Sequence, residues 1–301
     1  MSFQFTLQSP KWGNISILRQ TSQYSGCINS TQFLINPSIG NKVEFLLLEN
    51  PALGYKPYIE REKRVFIYME NPKIWMPNAD FLNQIGILIS PFGLRSIIPA
   101  HIKFIRSYPC VPWFYGIQFC ANSGLLHKPL RSRLELDAMT SMPFPKKTKL
   151  LSMIASGKAG TPGHAWRRDL AFALKSYFGD LVDIFGFGHM PIPDKRYAID
   201  PYVFSIVIEN DEADYYVTEK VVDCLIGWAI PIYSGAAQLD SLLQYKVPRI
   251  PFGCSVDHAL SCIKAAVSSG GMQLEQLAKI RTIAMQRLNL FEELPRLLSI
   301  S

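Results

Sequence analysis

A chain of 301 residues has room for two α/β units of ordinary size, and 48% apolar content against 18% charged excludes wholesale disorder. Lysine and arginine outnumber aspartate and glutamate by 31 to 24, leaving a net charge of +7 that calls for an anionic ligand, an anionic surface or a solvated basic face. No apolar run reaches the roughly 18 residues that span a bilayer, which excludes a helical membrane span.

The opening MSFQFTLQSPKWGN has neither a charged leader nor an apolar block, so the expectation is a cytoplasmic protein, its positive charge suited to peripheral contact with the inner face of an anionic membrane. Cys27, Cys110, Cys120, Cys224, Cys254 and Cys262 form no C-x-x-C pair and read as free thiols. The basic clusters Arg61-Glu62-Lys63-Arg64, Arg131-x-Arg133, Lys146-Lys147-x-Lys149 and Arg167-Arg168 are not interleaved with aromatics. Helix-turn-helix and zinc-finger spacings are also missing, so no nucleic acid is expected as a partner.

In chain order, residues 1–60 are mixed. Residues 15–18 could form a short strand, 20–30 read as a loop, 43–48 as an apolar strand, and the proline-bearing 51–63 as a loop. The run RVFIY at 64–68 has the profile of a buried central strand and ends at Met69-Glu70-Asn71-Pro72. Residues 85–89 predict another strand, 101–107 are mixed, and PCVPWFYG at 109–116 is a proline- and aromatic-rich edge. Residues 130–149 read as a linker. Beyond it, 149–156 predict a strand, 157–163 a glycine-rich loop, and about 164–178 a helix with Arg167 and Arg168 in its first turn. A strand at 181–185 follows, then an unassigned 247–252, and helical regions at 256–267 and 272–298.

The most informative stretch is 202–236, YVFSIVIENDEADYYVTEKVVDCLIGWAIPIYSGA. It predicts an apolar strand over 202–208, an acid-rich turn over 209–216 and a helix opened by Thr218-Glu219-Lys220. Val221, Val222, Leu225 and Ile226 form that helix's buried stripe, and a second strand follows at 229–233. Strand, helix and strand at this spacing make a βαβ unit of a parallel sheet, whose ligands bind at the carboxyl ends of the strands. A lysine at a helix N-terminus opposes the helix dipole by ~0.3–1 kcal/mol, so an anion is expected opposite Lys220. Arg167, at a neighbouring helix start, adds donors suited to phosphate oxygens. Glu219 suits ribose or sugar hydroxyls, and Glu70, at a strand end in the first half, suits a general base acting across a cleft. The chain has no G-x-S-x-G elbow, no P-loop and no D-x-D at a strand end. The five histidines show no paired metal spacing; Asp211 and Asp214 leave a divalent ion open without requiring one.

Taken together, 202–236 resembles the signature of the α1,3/α1,4-fucosyltransferases, glycosyltransferase family 10. That signature runs from F-E-N through Y-[IV]-T-E-K to P-[IV]-Y-W-G-[AS]. Its counterparts here are Ile208-Glu209-Asn210, Tyr216-Val217-Thr218-Glu219-Lys220 and Pro231-Ile232-Tyr233-Ser234-Gly235-Ala236. Ala155-Ser156 through Arg167 to Leu174 is similar to the family's S-N…R…L segment, and Val182-Asp183-Ile184-Phe185-Gly186 to its V-D-[VI]-Y-G. Arg64-Val65-Phe66 through Met69-Glu70-Asn71 is similar to the R-V-F…G-E-N of bacterial members, and Val111 to Tyr115 resembles the strand ending their acceptor domain. The likeness covers about 64–240. Ile208 and Ser234 stand where the family has phenylalanine and tryptophan, and Gly157 where it has asparagine.

The resemblance implies a GT-B fold, two Rossmann-like α/β domains facing each other across a cleft. Residues 1–140 would form the acceptor side, 141–285 the donor domain, and 286–301 a helical tail returning to the first domain. It implies an inverting transfer of fucose from GDP-fucose to a hydroxyl of a glycan or lipid-linked glycan, without an obligatory cofactor or metal. Arg167 and Lys220 would neutralise the diphosphate, Glu219 would hold hydroxyls, Asn210 and Tyr216 would complete the nucleotide-sugar pocket, and Glu70 would be the base. Two alternatives stay open: a same-fold transferase using another nucleotide sugar such as GDP-mannose, and a catalytically silent nucleotide- or glycan-binding module.

Overall fold

The computed structural model describes residues 3–8, 18–28, 31–35, 45–48, 59–72, 74–110, 112–118, 134–155, 162–186 and 188–298. The expectations for 15–17, 29–30, 43–44, 51–58, 130–133 and 156–161 lie outside the described residues, as do those for Val111, Cys120 and the Arg131-x-Arg133 cluster.

The first sheet holds β1 (Phe3–Gln8), β2 (Cys27–Ile28), β3 (Thr31–Ile35), β4 (Phe45–Leu48), β5 (Arg64–Ile67), β6 (Ile87–Ser90) and β7 (Lys103–Arg106), in the order β2-β3-β1-β4-β5-β6-β7. Only the β2–β3 pairing is antiparallel among these. Residues of β5 and β6 alternate between two cores. Val65, Ile67, Ile87 and Ile89 join the main core shared with the second sheet, whereas Phe66, Tyr68 and Leu88 pack with Ile85, Phe92, Leu94, Ile98 and Ile102. A strand covered on both faces must be apolar throughout, which is why RVFIY reads as it does.

The second sheet holds β8 (Lys149–Ile154), β9 (Val182–Phe185), β10 (Tyr202–Ile208) and β11 (Ile230–Ser234), all parallel, in the order β11-β10-β8-β9. The helices are α1 (Ala79–Leu82), α2 (Leu136–Ser141), α3 (Pro162–Phe178), α4 (Arg196–Ile199), α5 (Glu219–Ile226), α6 (Leu239–Leu243), α7 (Val256–Ser268), α8 (Leu274–Arg287) and α9 (Leu290–Leu297). From β8 the chain crosses through α3 to β9 on one flank, then returns over β8 to β10 on the other. The crevice between the ends of β8 and β10 is therefore a topological switch point, where open α/β sheets bind ligands. No helix among the described residues is long and apolar enough to cross a membrane.

Several expectations change. β1 lies inside the first sheet between β3 and β4, and β2 occupies part of the expected loop at 20–30. Residues 112–116 form no strand: the N–H of Trp113 goes to Gln20 Oε1 (3.1 Å), and those of Phe114 and Tyr115 go to Asp223 Oδ1 (2.8 and 2.9 Å). Side chains have taken the donors that a ladder would use. α3 begins at Pro162, a residue suited to a first helical turn, so Arg167 lies in the second turn. Residues 247–252 contribute an isolated bridge from Arg249 to Tyr233. The terminal helical region breaks before α9, where Asn289 Oδ1 accepts the N–H of Phe291 (3.1 Å).

Buried arginines tie the chain together through backbone carbonyls, Arg19 within the first half and Arg281 across the two halves. Arg19 has no solvent exposure and donates to the carbonyls of Leu134 and Trp113 (2.9 Å each) and Tyr115. Arg281 donates to the carbonyls of Ile226 (3.2 Å) and Met139 and lies 4.6 Å from the Trp228 ring centroid. Asn289 Nδ2 donates to Gln20 O (2.9 Å) and Trp113 Nε1 to Leu288 O (3.1 Å), which brings the last helices against the first sheet's side.

Lys147 Nζ donates to Gly227 O (2.8 Å) and Ile199 O (3.3 Å), and burial lowers its pKa from 10.5 to about 8. Between those values the unfolded chain holds a proton that the folded chain lacks, so stability rises with pH there; below about 8 the folded state carries the full cost of a buried ammonium. Thermal melts across this window should show a rising melting temperature that Lys147→Met flattens.

Candidate functional site

The site begins with a carboxylate at the end of β10. Glu209 has 0% exposure, and its backbone N–H donates to Ser234 O at the end of β11 (2.9 Å). Its carboxylate accepts the N–H of Thr218 (2.9 Å), the Thr218 hydroxyl (2.7 Å) and Lys220 Nζ (3.0 Å). Thr218 is the N-cap of α5 but makes no cap bond with its own side chain. Glu209, eleven residues upstream of Lys220, brings a second carboxylate to this helix start beside α5's own Glu219. Gly235, at φ +147, closes the other side: a Cβ there would sit 2.7 Å from Glu209 Cγ.

This corrects the argument made for Lys220. Its cation does face an anion, but that anion is internal. Two of its three N–H donors go to Glu209 Oε2 and Thr218 Oγ1 (2.8 Å), and Glu219 Oε1 lies 3.7 Å from the same nitrogen, too far to take the third as a hydrogen bond. Burial disfavours its charge, yet Glu209 and Glu219 outweigh that and raise its pKa, so Lys220 remains an ammonium at neutral pH.

Arg167 reaches the same place from α3. It is 7% exposed, its Nη1 donates to Asn210 Oδ1 (2.7 Å), and its buried Nε has no partner. Burial lowers its pKa, opposed by Glu209, Glu219 and Tyr216. α3 can come this close because Gly163 has no side chain; a Cβ there would lie 2.5 Å from Asn210 O. Arg167, Asn210 and Lys220 therefore meet at the switch point between β8 and β10.

The sequence reading missed a third cation. Lys195, just before α4, donates to Asp223 Oδ2 (2.6 Å), lies 3.7 Å from Glu219 Oε1 and sits 5.2 Å from the Phe114 ring centroid. Glu219 stands between Lys195 and Lys220, 3.7 Å from each. Burial pushes its pKa up, but Lys220 and Lys195 outweigh it and leave the value below the ordinary one. Asp223 is 1% exposed and its pKa is raised by burial despite Lys195. Nothing in sequence links Lys195 to α5. For Glu209 a signal existed: an acid directly after an all-apolar strand has nowhere to go but inward.

Glu70 follows β5 and is half-buried, with its Oε1 accepting the N–H of Asn71 (3.2 Å). Asn71 Nδ2 donates to Asp211 Oδ2, so the turn carrying Glu70 is tied to the loop after β10. Tyr216 is 5% exposed, and its ring lies 5.2 Å from that of Phe92 in the first sheet's second core. Burial raises its pKa well above the ordinary value, and Glu209, Glu219, Glu70 and Asp211 add to the rise. Glu70 is thus within electrostatic reach of the loop after β10, while Tyr216 packs between the halves.

No protein-family profile matches the chain, and no curated protein matches it significantly. Solved structures do. A crystal structure of an α1,3-fucosyltransferase aligns at 18% identity over 93% of this chain and 80% of that chain, with a TM-score of 0.50. A crystal structure of an α1,3-fucosyltransferase with GDP aligns at 16% identity over 99% of this chain and 90% of that chain, also at 0.50. The fold is GT-B. In this GT-B chain the cluster of Arg167, Asn210, Glu219 and Lys220 lies at the carboxyl edge of the second sheet, with Glu70 approaching from the first.

Removing the buried anion tests this arrangement. Glu209→Gln leaves Lys220 without its closest countercharge and should cost about 2–4 kcal/mol in denaturant unfolding. Adding Lys220→Met should recover part of the loss, because the uncompensated charge is then gone.

Proposed function

We propose that the chain is a glycosyltransferase that moves fucose from GDP-fucose to a hydroxyl of a glycan, with inversion at the anomeric carbon. The observation that carries this reading is the unpartnered, buried Nε of Arg167 beside the remaining donor of Lys220, at the switch point of a GT-B fold. The solved α1,3-fucosyltransferase with GDP shares that fold, and the 202–236 motif supports the same donor class.

In the proposed reaction Glu70 takes the proton of the acceptor hydroxyl as its oxygen attacks the anomeric carbon. The bond from that carbon to the β-phosphate oxygen breaks in line, and GDP leaves with the electron pair. Arg167 and Lys220 stabilise the charge gathering on the diphosphate, Asn210 holds Arg167 in place, and Glu219 accepts from ribose or fucose hydroxyls. Tyr216 shapes the floor of the pocket from its packed position against Phe92. In this reading Arg167 and Lys220 would carry the charge of the diphosphate, so no step is assigned to a metal ion.

Three outcomes follow from this mechanism. GDP at about 100 times its dissociation constant should stabilise the protein by about 2.7 kcal/mol in thermal melts, and a larger response to UDP would overturn the donor class. Arg167→Ala and Lys220→Ala should each weaken GDP binding about 10- to 100-fold by calorimetry. Glu70→Gln should keep GDP affinity while slowing GDP release from GDP-fucose in the presence of mixed glycans by about 10²- to 10⁴-fold. Turnover that survives Glu70→Gln with GDP binding intact removes Glu70 as the base, and binding without any turnover in the wild type favours a silent module.

A further inference from the structure

Two large apolar side chains stand in the open one turn beyond Glu70. Ile74 is 51% exposed and Trp75 is 41% exposed. A solvated indole is common enough singly, but this one is fixed. The N–H groups of Ile74 and Trp75 both return to Asn71 O (2.8 and 3.2 Å), so the turn folds back on the residue that follows Glu70. The Trp75 ring rests 5.8 Å from the buried ring of Tyr68, tilted by 43°, and the Tyr68 hydroxyl donates to Trp75 O. Tyr68 belongs to the first sheet's second core, between Phe66 and Phe92, which makes it a rigid backing. The indole is thus held against Tyr68 and stays 41% exposed, in the turn that directly follows the half-buried Glu70.

We infer that Trp75 is a stacking platform for a sugar ring of the acceptor, placing the acceptor's hydroxyl against Glu70. The inference rests on the transferase reading above and names the acceptor class as a pyranose with an apolar face. The chemistry selects that occupant. A flat ring takes the C–H face of a pyranose, and a carboxylate in the same turn takes a hydroxyl proton; a sugar offers both within one residue. An acyl chain would want a broader apolar surface without the polar Glu70 and Asn71 in the adjoining turn. A platform that is already ordered loses little entropy when the sugar binds, so its contribution is not consumed in fixing a side chain.

The experiment is a glycan array probed with wild-type protein, Trp75→Ala and Trp75→Phe in the presence of GDP, alongside GDP thermal shifts of all three. Trp75→Ala should lose about tenfold or more of the glycan affinity seen for the wild type, as truncated aromatic anchors do, and Trp75→Phe should retain most of it. The GDP shift and melting temperature should stay unchanged in both. The bound glycan should also alter the tryptophan emission of the wild type and not that of Trp75→Phe, a difference that a purely structural role would not produce and that holds even where alanine disturbs folding. Equal glycan affinity in Trp75→Ala overturns the platform, as does a wild type that binds no glycan while keeping its GDP shift. A wild type with no GDP shift overturns the donor reading instead, and the platform is then judged on the glycan signal alone.

Discussion

The site is built on one desolvated carboxylate. A lone ionised group with the burial of Glu209 would cost several kcal/mol, and only a full set of donors offsets that. The N–H and hydroxyl of Thr218 and the ammonium of Lys220 provide the set. Because these donors belong to the start of α5, satisfying Glu209 closes the loop from 210 to 217 and fixes the first turn of that helix. Gly235 is required for the same reason, since any side chain there would press on Glu209 Cγ. Asn210, Tyr216, Glu219 and Lys220 stand where they do as consequences of one buried charge.

Compensation has a further effect on how the site can bind. Arg167, Lys195 and Lys220 are interleaved with Glu209, Glu219 and Asp223, so the cluster is close to neutral rather than a well of positive potential. An incoming diphosphate gains less from long-range attraction than an uncompensated pair of cations would give. On the proposed reading, what a diphosphate would gain is oriented donors, the buried Nε of Arg167 and the third proton of Lys220. Donors held in this way do not reorganise as charge develops, which in the proposed reaction would favour a departing diphosphate over the ground state.

Legibility in the sequence tracked the distance along the chain over which each feature is decided. β10, α5 and β11 fell within a residue of expectation because a largely apolar run, a polar Thr-Glu-Lys opening and an amphipathic stripe are local signals. β1, FQFTLQ, alternates polar with apolar and gave no sign that it lies between two neighbours, which are supplied by residues 31–35 and 45–48. The strand expected at 111–115 came from the resemblance alone, the composition of 109–116 reading only as a proline- and aromatic-rich edge. The donors of Phe114 and Tyr115 are claimed by Asp223, more than a hundred residues away. The same holds in the site, where the Glu209–Lys220 pair is local and half visible. The Lys195–Asp223 pair has no motif, and the Asn71–Asp211 contact joins residues 140 apart.

The loop after β10 also decides how the halves face each other. Arg106 pairs with Asp214 at 2.9 Å, but both side chains are more than 40% exposed, and such pairs contribute only ~0–1 kcal/mol. The rings do more. Tyr216 sits against Phe92 inside the first sheet's second core, and Tyr215 meets Tyr108 at 5.3 Å, itself donating to Gln238 O (3.1 Å). Burial of a tyrosine ring, together with an aromatic contact of about 0.5–1.5 kcal/mol, outweighs the exposed ion pair. The residues that fix Lys220 through Glu209 are therefore continuous with those that seat the first sheet and its Glu70. The separation between Glu70 and the Arg167–Lys220 pair is set by a single short loop whose start is locked by a buried charge and whose far end is locked by buried rings.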